Sequence, residues 1–213
     1  LKLADFEWAR DKVMMGTERR SMVMSEKEKR NTAYHEAGHA LVSALLPKTD
    51  PIHKVTIVPR GRALGLTAFL PKQDNHSYDI DFLSNRITIA MGGRAAEEII
   101  FDEVTTGASN DIQQATDTIR NMICNWGMSK TFGPIVLGSD NQQNVLGRNI
   151  GKGREFSENT AAEIDNEMRK TIKYHDEKAK KLLRDNIDIL HKIVEVLMKE
   201  ETIEGSYIME LLG

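Results

Sequence analysis

Two histidines four positions apart, with a glutamate directly after the first, lie in the stretch TAYHEAGHALVSALLP at residues 32–47. Residues four apart on an α-helix project from the same side, so His35 and His39 would place their imidazoles next to each other. Two such imidazoles can bind one metal ion, and a carboxylate beside the open coordination position can accept a proton from water. The pattern predicts a metallohydrolase with His35 and His39 as zinc ligands and Glu36 as general base.

A catalytic zinc site takes three protein ligands, so one more must come from elsewhere in the chain. The metzincin class is excluded, because Val42 and Leu45 stand where that class has Gly and His. Asp111, in the first turn of a predicted helix, and Glu97, after a glycine pair, are nearly equal candidates; Glu97 could instead accept a hydrogen bond from a ligand imidazole. The other candidates are His53, His76, Glu98, Asp102 and Glu103.

The helix that carries the two histidines has a signal at each end. Ser25 to Glu28 matches a capping box, and Pro47 follows the last apolar residues of the pattern. Downstream, IHKVTIVP and LGLTAFLP are rich in β-branched and apolar residues around a Gly-containing connection, which predicts two strands. No other stretch of the sequence gives a convincing strand signal.

Helical spacing of apolar residues predicts further helices over 3–20, 78–101, 109–126 and throughout 157–213. Ser109 or Asn110 is the expected cap of the third of these, and Asn186 or Gly205 the expected break in the last. The Gly92-Gly93 pair is typical of a place where two backbones approach closely. The predicted fold class is mainly α with a small β-sheet (α+β), in which a zincin-type helix carries the HExxH pattern and a helical bundle forms the C-terminal part.

Composition restricts the classes of function. The chain of 213 residues has 40% hydrophobic and 29% charged residues, in the range of ordinary globular proteins. A formal charge of −3 predicts no nucleic-acid partner, and Cys124, the single cysteine, excludes a disulfide framework and fits a reducing compartment. No apolar run reaches the roughly 18–20 residues of a spanning helix. Because the chain also begins without Met, we expect a soluble piece whose parent carries any membrane segment outside it.

Several longer motifs carry a resemblance to a known family. MMGTERRS, TAYHEAGHA, the VTIVPRG and LG strand pair, MGGRAAEEIIF and TTGASNDIQQAT are distributed over nearly the whole chain. Together they resemble the peptidase portion of the FtsH family, the membrane-anchored AAA-type ATP-dependent zinc metalloproteases. The resemblance implies one Zn²⁺ per chain bound by His35, His39 and Asp111, with Glu36 as general base and Glu97 supporting a ligand rather than binding the metal.

The resemblance also implies a larger assembly. The sequence has no G-x-x-x-x-G-K-[ST] phosphate loop, so the ATP-using module and the membrane anchor would precede this chain in its parent. Residues 1–24 would be a lead-in helix from that module, 25–126 the zinc peptidase core, 127–156 a connecting loop and 157–213 the C-terminal helical region. The resemblance further implies a homo-hexamer that processively degrades unfolded or membrane polypeptides, and it implies that this domain would lie on the cytoplasmic side, at a bacterial inner membrane.

Two other classes of function stay open at this point. In a non-catalytic assembly module the metal would be absent or structural, but a structural zinc site is normally closed by four protein ligands and needs no base. A small-substrate hydrolase such as an aminopeptidase would need a pocket for a free amino terminus. For an endopeptidase, either predicted strand is a candidate to pair with the substrate backbone at a sheet edge.

Overall fold

The computed structural model describes residues 2–19, 21–61, 63–71, 77–137 and 156–213. Helices and three short strands follow one another along the chain, which confirms the predicted mainly helical α+β class. The elements are α1 (Leu3–Met15), α2 (Glu26–Leu45), β1 (Ile52–Thr56), β2 (Leu66–Phe69), α3 (Ile80–Phe101), a 3₁₀ turn (Thr106–Ala108), α4 (Ser109–Cys124), α5 (Glu158–Asp185), α6 (Ile187–Glu200), β3 (Thr202–Glu204) and α7 (Gly205–Leu212).

Helix α2 is the centre of the fold. It begins at the predicted capping box, in which the Ser25 hydroxyl accepts from the Glu28 amide and the Glu28 carboxylate accepts from the Ser25 amide. Its second half is buried on nearly all sides, since α3, α5, α6, α7 and the sheet all contact it. Leu41 and Val42 on α2 are wholly buried, as is Leu190 on α6. A polar group on this part of α2 is therefore held inside the protein.

Helices α2 and α3 cross at two glycines. A methyl group added at Gly92 would lie 2.7 Å from the Gly38 carbonyl oxygen, and one added at Gly38 would overlap the Gly92 carbonyl in turn. Only a residue without a side chain permits this backbone approach. The crossing explains the glycine pair of α3 and brings the HExxH turn of α2 against that helix.

The sheet is antiparallel, with strand order β2-β1-β3. The sequence was predicted to be helical throughout 157–213, and β3 shows that this was wrong at Thr202–Glu204. Helix α6 ends because Glu201 takes a left-handed conformation (φ 60°), and the β-branched residues that follow pair with the open edge of β1. Strand β1 is thus the central strand, and β2 lies at an edge of the sheet among the described residues.

Helix ends differ from expectation in three further places. Helix α1 stops at Met15, because Gly16 (φ 81°) turns the chain, and does not continue to residue 20. Helix α4 ends at Cys124 instead of 126. Neither Ser109 nor Asn110 caps α4: a 3₁₀ turn precedes that helix, and the Thr105 hydroxyl accepts from the backbone of this turn.

Asn186 and Gly205, the two alternative positions expected for a break, both lie at boundaries of the C-terminal helices. Asn186 separates α5 from α6, and α7 begins at Gly205. Most of the predicted 127–156 connection, residues 138–155, lies outside the described residues. Within the described part of the chain, no helix combines the length and apolar character needed to cross a membrane.

Helix α5 holds α3 in place through charged and polar contacts. Lys180 of α5 pairs with Glu98 of α3 at 2.8 Å, and Arg94 of α3 pairs with Asp176 of α5 at 3.0 Å. His175, the buried residue directly before Asp176, contacts the Thr88 hydroxyl of α3 at 2.8 Å. These contacts fix α3 on the side away from α2.

Candidate metal centre

The HExxH turn meets α4 through one face of that helix. Asp111 stands one, two and three turns before Ala115, Ile119 and Ile123, three of the four residues that α4 buries in the core. Residues four apart share a face of a helix, so the stripe that anchors α4 also turns the Asp111 carboxylate inward. Its position in the first turn further favours an ionised carboxylate.

Three potential ligand atoms converge at this point. The Nε2 atoms of His35 and His39 are 3.0 Å apart, and Asp111 Oδ2 lies 3.2 Å and 3.5 Å from them, respectively. Three ligands at about 2.0–2.1 Å from a tetrahedral zinc ion would be separated by about 3.3 Å. His35, His39 and Asp111 thus form a group whose ligand atoms are close enough together to hold one metal ion. It is the one such group of His, Cys, Asp or Glu side chains in the described residues.

Each imidazole is oriented through its other nitrogen. His35 Nδ1 donates to Glu97 Oε1 at 2.7 Å, and His39 Nδ1 donates to the Ile89 carbonyl oxygen at 2.7 Å. Because a neutral imidazole has one N–H, both Nε2 atoms are then left with a lone pair. Two lone pairs and a carboxylate oxygen then face one another, an arrangement that a cation between them would stabilise.

The pKa values of His35 and Asp111 also favour a positive charge beside the Asp111 carboxylate. Burial alone would lower the pKa of His35, but the hydrogen bonds to Asp111 and Glu97 outweigh it and raise this pKa to about 10. Burial would conversely raise the pKa of Asp111, yet the hydrogen bonds to His35 and His39 hold it far below its usual range. The proton on His35 thus occupies the place of a bound cation in the metal-free chain.

Glu97 is oriented for support and not for metal binding. One of its oxygens faces His35, and the other accepts hydrogen bonds from the backbone amide (3.2 Å) and hydroxyl (3.0 Å) of Thr105. Burial would raise the pKa of Glu97, but the contacts with His35 and Thr105 lower it, so the carboxylate is ionised. Asp111, and not Glu97, therefore completes the group of three.

Gly93 gives the two imidazoles their space. A methyl group there would lie 2.6 Å from His35 Cε1 and 2.6 Å from His39 Nε2. Ile89, Gly93 and Glu97 follow one another at intervals of four along α3 and so form one face of that helix. This face supplies a carbonyl acceptor, an empty space and a carboxylate acceptor to the same pair of rings.

Glu36 is buried beside the ligand group. Its Oε2 atom accepts a hydrogen bond of 2.7 Å from the Thr67 hydroxyl on β2, and only 7% of the residue is exposed. Gly65 lies on its other side, where an added methyl group would be 3.0 Å from Oε1. The carboxylate is thus enclosed by the strand segment that leads into β2.

The group opens onto a long cleft of about 1380 Å³. Glu36, both histidines and Asp111 line the cleft together with residues of β2, among them Leu66, Thr67 and Phe69. The cleft is also lined by Tyr78 and Phe82, whose stacked rings have centroids 4.7 Å apart. An extended peptide could enter between β2 and α4.

The remaining ligand candidates lie elsewhere. His53 of β1 contacts Asp11 of α1 at 2.8 Å, and Glu98 pairs with α5. Asp102 ends α3 in a left-handed conformation, and Glu103 pairs with Lys27 on the surface. His76 lies outside the described residues.

Sequence reasoning missed three supporting groups: the Thr67 hydroxyl, Thr105 and the Ile89 carbonyl. The interval of four between Ile89, Gly93 and Glu97 could have indicated one common face of α3. Thr67 has no comparable signal, because its contact with Glu36 joins residues 31 positions apart in different elements.

The sequence of this chain matches a known protein family. The model of peptidase family M41 matches residues 22–211, nearly the whole chain. The chain belongs to peptidase family M41. The resemblance drawn from the motifs is therefore confirmed, and so is the predicted enzyme class of this M41 chain, a metalloprotease.

Curated relatives of this M41 chain carry the name ATP-dependent zinc metalloprotease FtsH. The protein from Magnetococcus marinus is 49% identical over 213 residues, which cover 100% of this chain and 32% of the relative. The protein from Myxococcus xanthus is 49% identical over 210 residues (99% and 33%), and FtsH 4 from Sorangium cellulosum is 50% identical over 215 residues (100% and 33%). The chain spans about a third of the length of these relatives.

Proposed function

We propose that this chain is the zinc-dependent endopeptidase domain of an ATP-dependent protease. The observation that carries the proposal is the convergence of His35, His39 and Asp111 beside the buried Glu36, in a cleft of about 1380 Å³. Three ligands with a neighbouring carboxylate are typical of a catalytic zinc site, whereas structural sites are closed by four protein ligands. This favours an enzyme over a non-catalytic assembly module.

The side chains present fit a zinc ion. His35, His39 and Asp111 would hold one Zn²⁺ per chain, since their three facing acceptor atoms are spaced for tetrahedral coordination. Glu97 and the Ile89 carbonyl would keep the two rings in the required tautomer. Bound zinc supplies Lewis acidity, which makes a water molecule easier to deprotonate and a peptide carbonyl easier to attack near neutral pH.

Glu36 would move the proton. Its carboxylate would accept a proton from the attacking water and then deliver it to the nitrogen of the leaving amine, so that one residue acts first as base and then as acid. Burial against β2 limits the water around this carboxylate to what the cleft admits. A polypeptide substrate would supply both the carbonyl and the amine.

Strand β2 is the proposed platform for that substrate. Of the two predicted strands, β1 pairs on both sides, whereas β2 pairs only with β1 among the described residues and lines the cleft. An extended peptide could add to the free edge of β2 through backbone hydrogen bonds, which carry little sequence information. Broad substrate acceptance would follow.

The wider assembly is proposed from the relatives and the motifs. The relatives are named as ATP-dependent, and the phosphate-binding motif that such a protein needs is absent from this sequence. We infer that a homo-hexameric, membrane-anchored parent uses ATP in a separate module to feed unfolded or membrane proteins to this domain at the cytoplasmic face of a bacterial inner membrane.

Replacement of the general base tests the proposal. Glu36→Gln should retain one zinc per chain and lower kcat on an internally quenched, N-blocked peptide by at least about a hundredfold, the usual contribution of a general base. Metal analysis and peptide fluorescence measure the two quantities. Glu98→Gln is the matched control, because Glu98 pairs with α5, and it should keep its activity.

Full activity of the zinc-loaded Glu36→Gln variant would contradict the assignment. A wild-type enzyme that cleaves peptides with a free amino terminus, but not the N-blocked peptide, would instead indicate an aminopeptidase.

Backbone methylation of the substrate tests the role of β2. Methylation of single amides near the scissile bond should reduce kcat/KM about tenfold wherever that amide pairs with the strand, because one backbone hydrogen bond is lost. Peptides methylated several residues further out are the control. Equal turnover of the whole series would show that β2 does not pair with the substrate.

A further inference from the structure

The Glu36 carboxylate is held by one neighbouring hydroxyl. Thr67 Oγ1 lies 2.7 Å from Glu36 Oε2, and the two residues are 9% and 7% exposed. Within the described residues, the Thr67 hydroxyl is the one hydrogen-bond donor to the Glu36 carboxylate. A buried carboxylate is costly without a donor, so the contact has a large effect on where Glu36 lies.

The hydroxyl of Thr67 faces two acceptors on the same residue. The Glu36 carbonyl oxygen is 3.1 Å away, and the carboxylate oxygen is 2.7 Å away. A hydroxyl has one hydrogen, and a bond to an ionised oxygen is shorter and stronger than a bond to a neutral one. The carboxylate is therefore the preferred acceptor.

Gly65 encloses the carboxylate from the other side. An added methyl group at Gly65 would lie 2.8 Å from Glu36 Cγ and 3.0 Å from Oε1. Residues two apart in an extended chain share a face, so Gly65 and Thr67 present one surface to Glu36. One oxygen accepts the hydrogen bond of the hydroxyl, and the other has no hydrogen bond within the described part of the chain.

We propose that Thr67 is a positioning residue for the general base: its hydroxyl fixes Glu36 Oε2 and leaves Oε1 to accept the proton from water. This inference rests on the proposed function, because it requires Glu36 to be the base. A free glutamate side chain populates several rotamers, whereas the bound one has its proton acceptor in one place. A displacement of about 1 Å in a catalytic group can cost about a hundredfold in rate.

A purely structural role for Thr67 makes a different prediction. The same hydroxyl also ties β2 to α2, so its loss could simply weaken the fold. Thr56 is the matched comparison, because it is a wholly buried threonine on the adjacent strand whose hydroxyl contacts Thr202 Oγ1 at 2.7 Å, and it does not line the cleft. A structural effect would appear in both threonines, and a positioning effect only in Thr67.

The experiment compares Thr67→Val, Thr67→Ser and Thr56→Val with the wild type on the N-blocked quenched peptide. We expect Thr67→Val to lower kcat by about tenfold to a hundredfold, with KM within about twofold and zinc content unchanged. Thr67→Ser keeps the hydroxyl and should restore kcat to within about threefold of the wild type, and Thr56→Val should keep wild-type kcat. Should Thr67→Val fail to fold, Thr67→Ala removes the hydroxyl without adding bulk and should show the same loss of kcat.

Wild-type kcat in a folded Thr67→Val or Thr67→Ala variant would overturn the inference. An equal loss in Thr67→Val and Thr67→Ser would also overturn it, because the hydroxyl would then be irrelevant. The proposed function fails separately, and this inference with it, if the zinc-loaded wild type is inactive or if Glu36→Gln is fully active.

Discussion

At the scale of single residues, the two imidazoles have similar positions but different supports. His35 donates to a carboxylate, and His39 donates to a backbone carbonyl. A carboxylate partner makes the ring a stronger electron donor than a neutral carbonyl does. We therefore expect the Glu97 carboxylate to strengthen the bond that His35 would make to a metal ion.

The empty space at Gly93 leads to a prediction. Gly93→Ala would place a methyl group 2.6 Å from both rings, and the rings must turn away, so zinc affinity should fall about tenfold to a hundredfold. Competition with a chromogenic chelator measures this affinity. The free energy of unfolding of the metal-free variant should stay within about 1 kcal/mol of wild type.

Gly92→Ala is the comparison for the effect on stability. Its methyl group meets the backbone of α2 and not the imidazoles, so it should lower the free energy of unfolding by about 1–3 kcal/mol. Wild-type zinc affinity in Gly93→Ala would show that the rings do not need this space.

At the scale of elements, the site depends on how α3 is held between α2 and α5. The face of α3 with Ile89, Gly93 and Glu97 serves the candidate metal centre. Thr88, next to Ile89, donates to the Ser84 carbonyl and therefore accepts from His175 of α5. The contact between α3 and α5 thus includes a buried histidine that donates a hydrogen bond to a threonine hydroxyl.

His175 makes the stability of the fold sensitive to acid. Burial, and secondarily the charge of Lys178, lower the pKa of His175 from 6.5 to about 4. Because the folded pKa is below the unfolded one, its contribution is fully present above about pH 6.5 and is lost as the pH falls towards 4. The loss amounts to about 3 kcal/mol at about 1.4 kcal/mol for each pKa unit.

Denaturant unfolding of metal-free protein between pH 4 and 7 measures this loss. His175→Gln cannot titrate, so the decline should be shallower than in the wild type, whereas His191→Gln, at an exposed position on α6, should keep it. Identical pH dependence in wild type and His175→Gln would contradict the assignment.

Element prediction succeeded where the signals were local. The capping box at Ser25 and the apolar spacing along α2 lie within a few residues of what they determine, and both agree with the structure. Strand β3 was missed because three residues gain their conformation from pairing with β1, far away in the chain. Asp111 and Glu97 were left as alternatives for the same reason, since their positions relative to the two histidines depend on the packing of α3 and α4.

At the scale of the whole molecule, the ligand group joins distant parts of the chain. His35 and Asp111 are 76 residues apart, and they come from α2 and α4 with α3 between them. The unfolded chain cannot bring these groups together in advance, so a metal ion would bind the folded chain far better than the unfolded one. Metal binding and folding are therefore coupled.

Zinc should accordingly stabilise the fold. Free zinc at a hundredfold excess over its Kd should raise the free energy of unfolding by about 2.7 kcal/mol, which calorimetry with and without chelator measures. Asp111→Asn should lose most of this increase, while Asp117→Asn, at an exposed position on the same helix, should retain it. An undiminished increase in Asp111→Asn would exclude Asp111 as a ligand.

The crossing of α2 and α3 has a consequence for how the sequence can evolve. Gly38 and Gly92 each exclude a side chain because of the other's backbone, not because of the other's side chain. If one glycine is replaced, a second substitution at the other glycine therefore cannot remove the clash. Neither position can change to a larger residue through a series of tolerated single substitutions. Substitutions on the surfaces of both helices leave this crossing unchanged. A larger residue at the crossing itself would require the two helices to separate, and this separation would also displace the two histidines on α2.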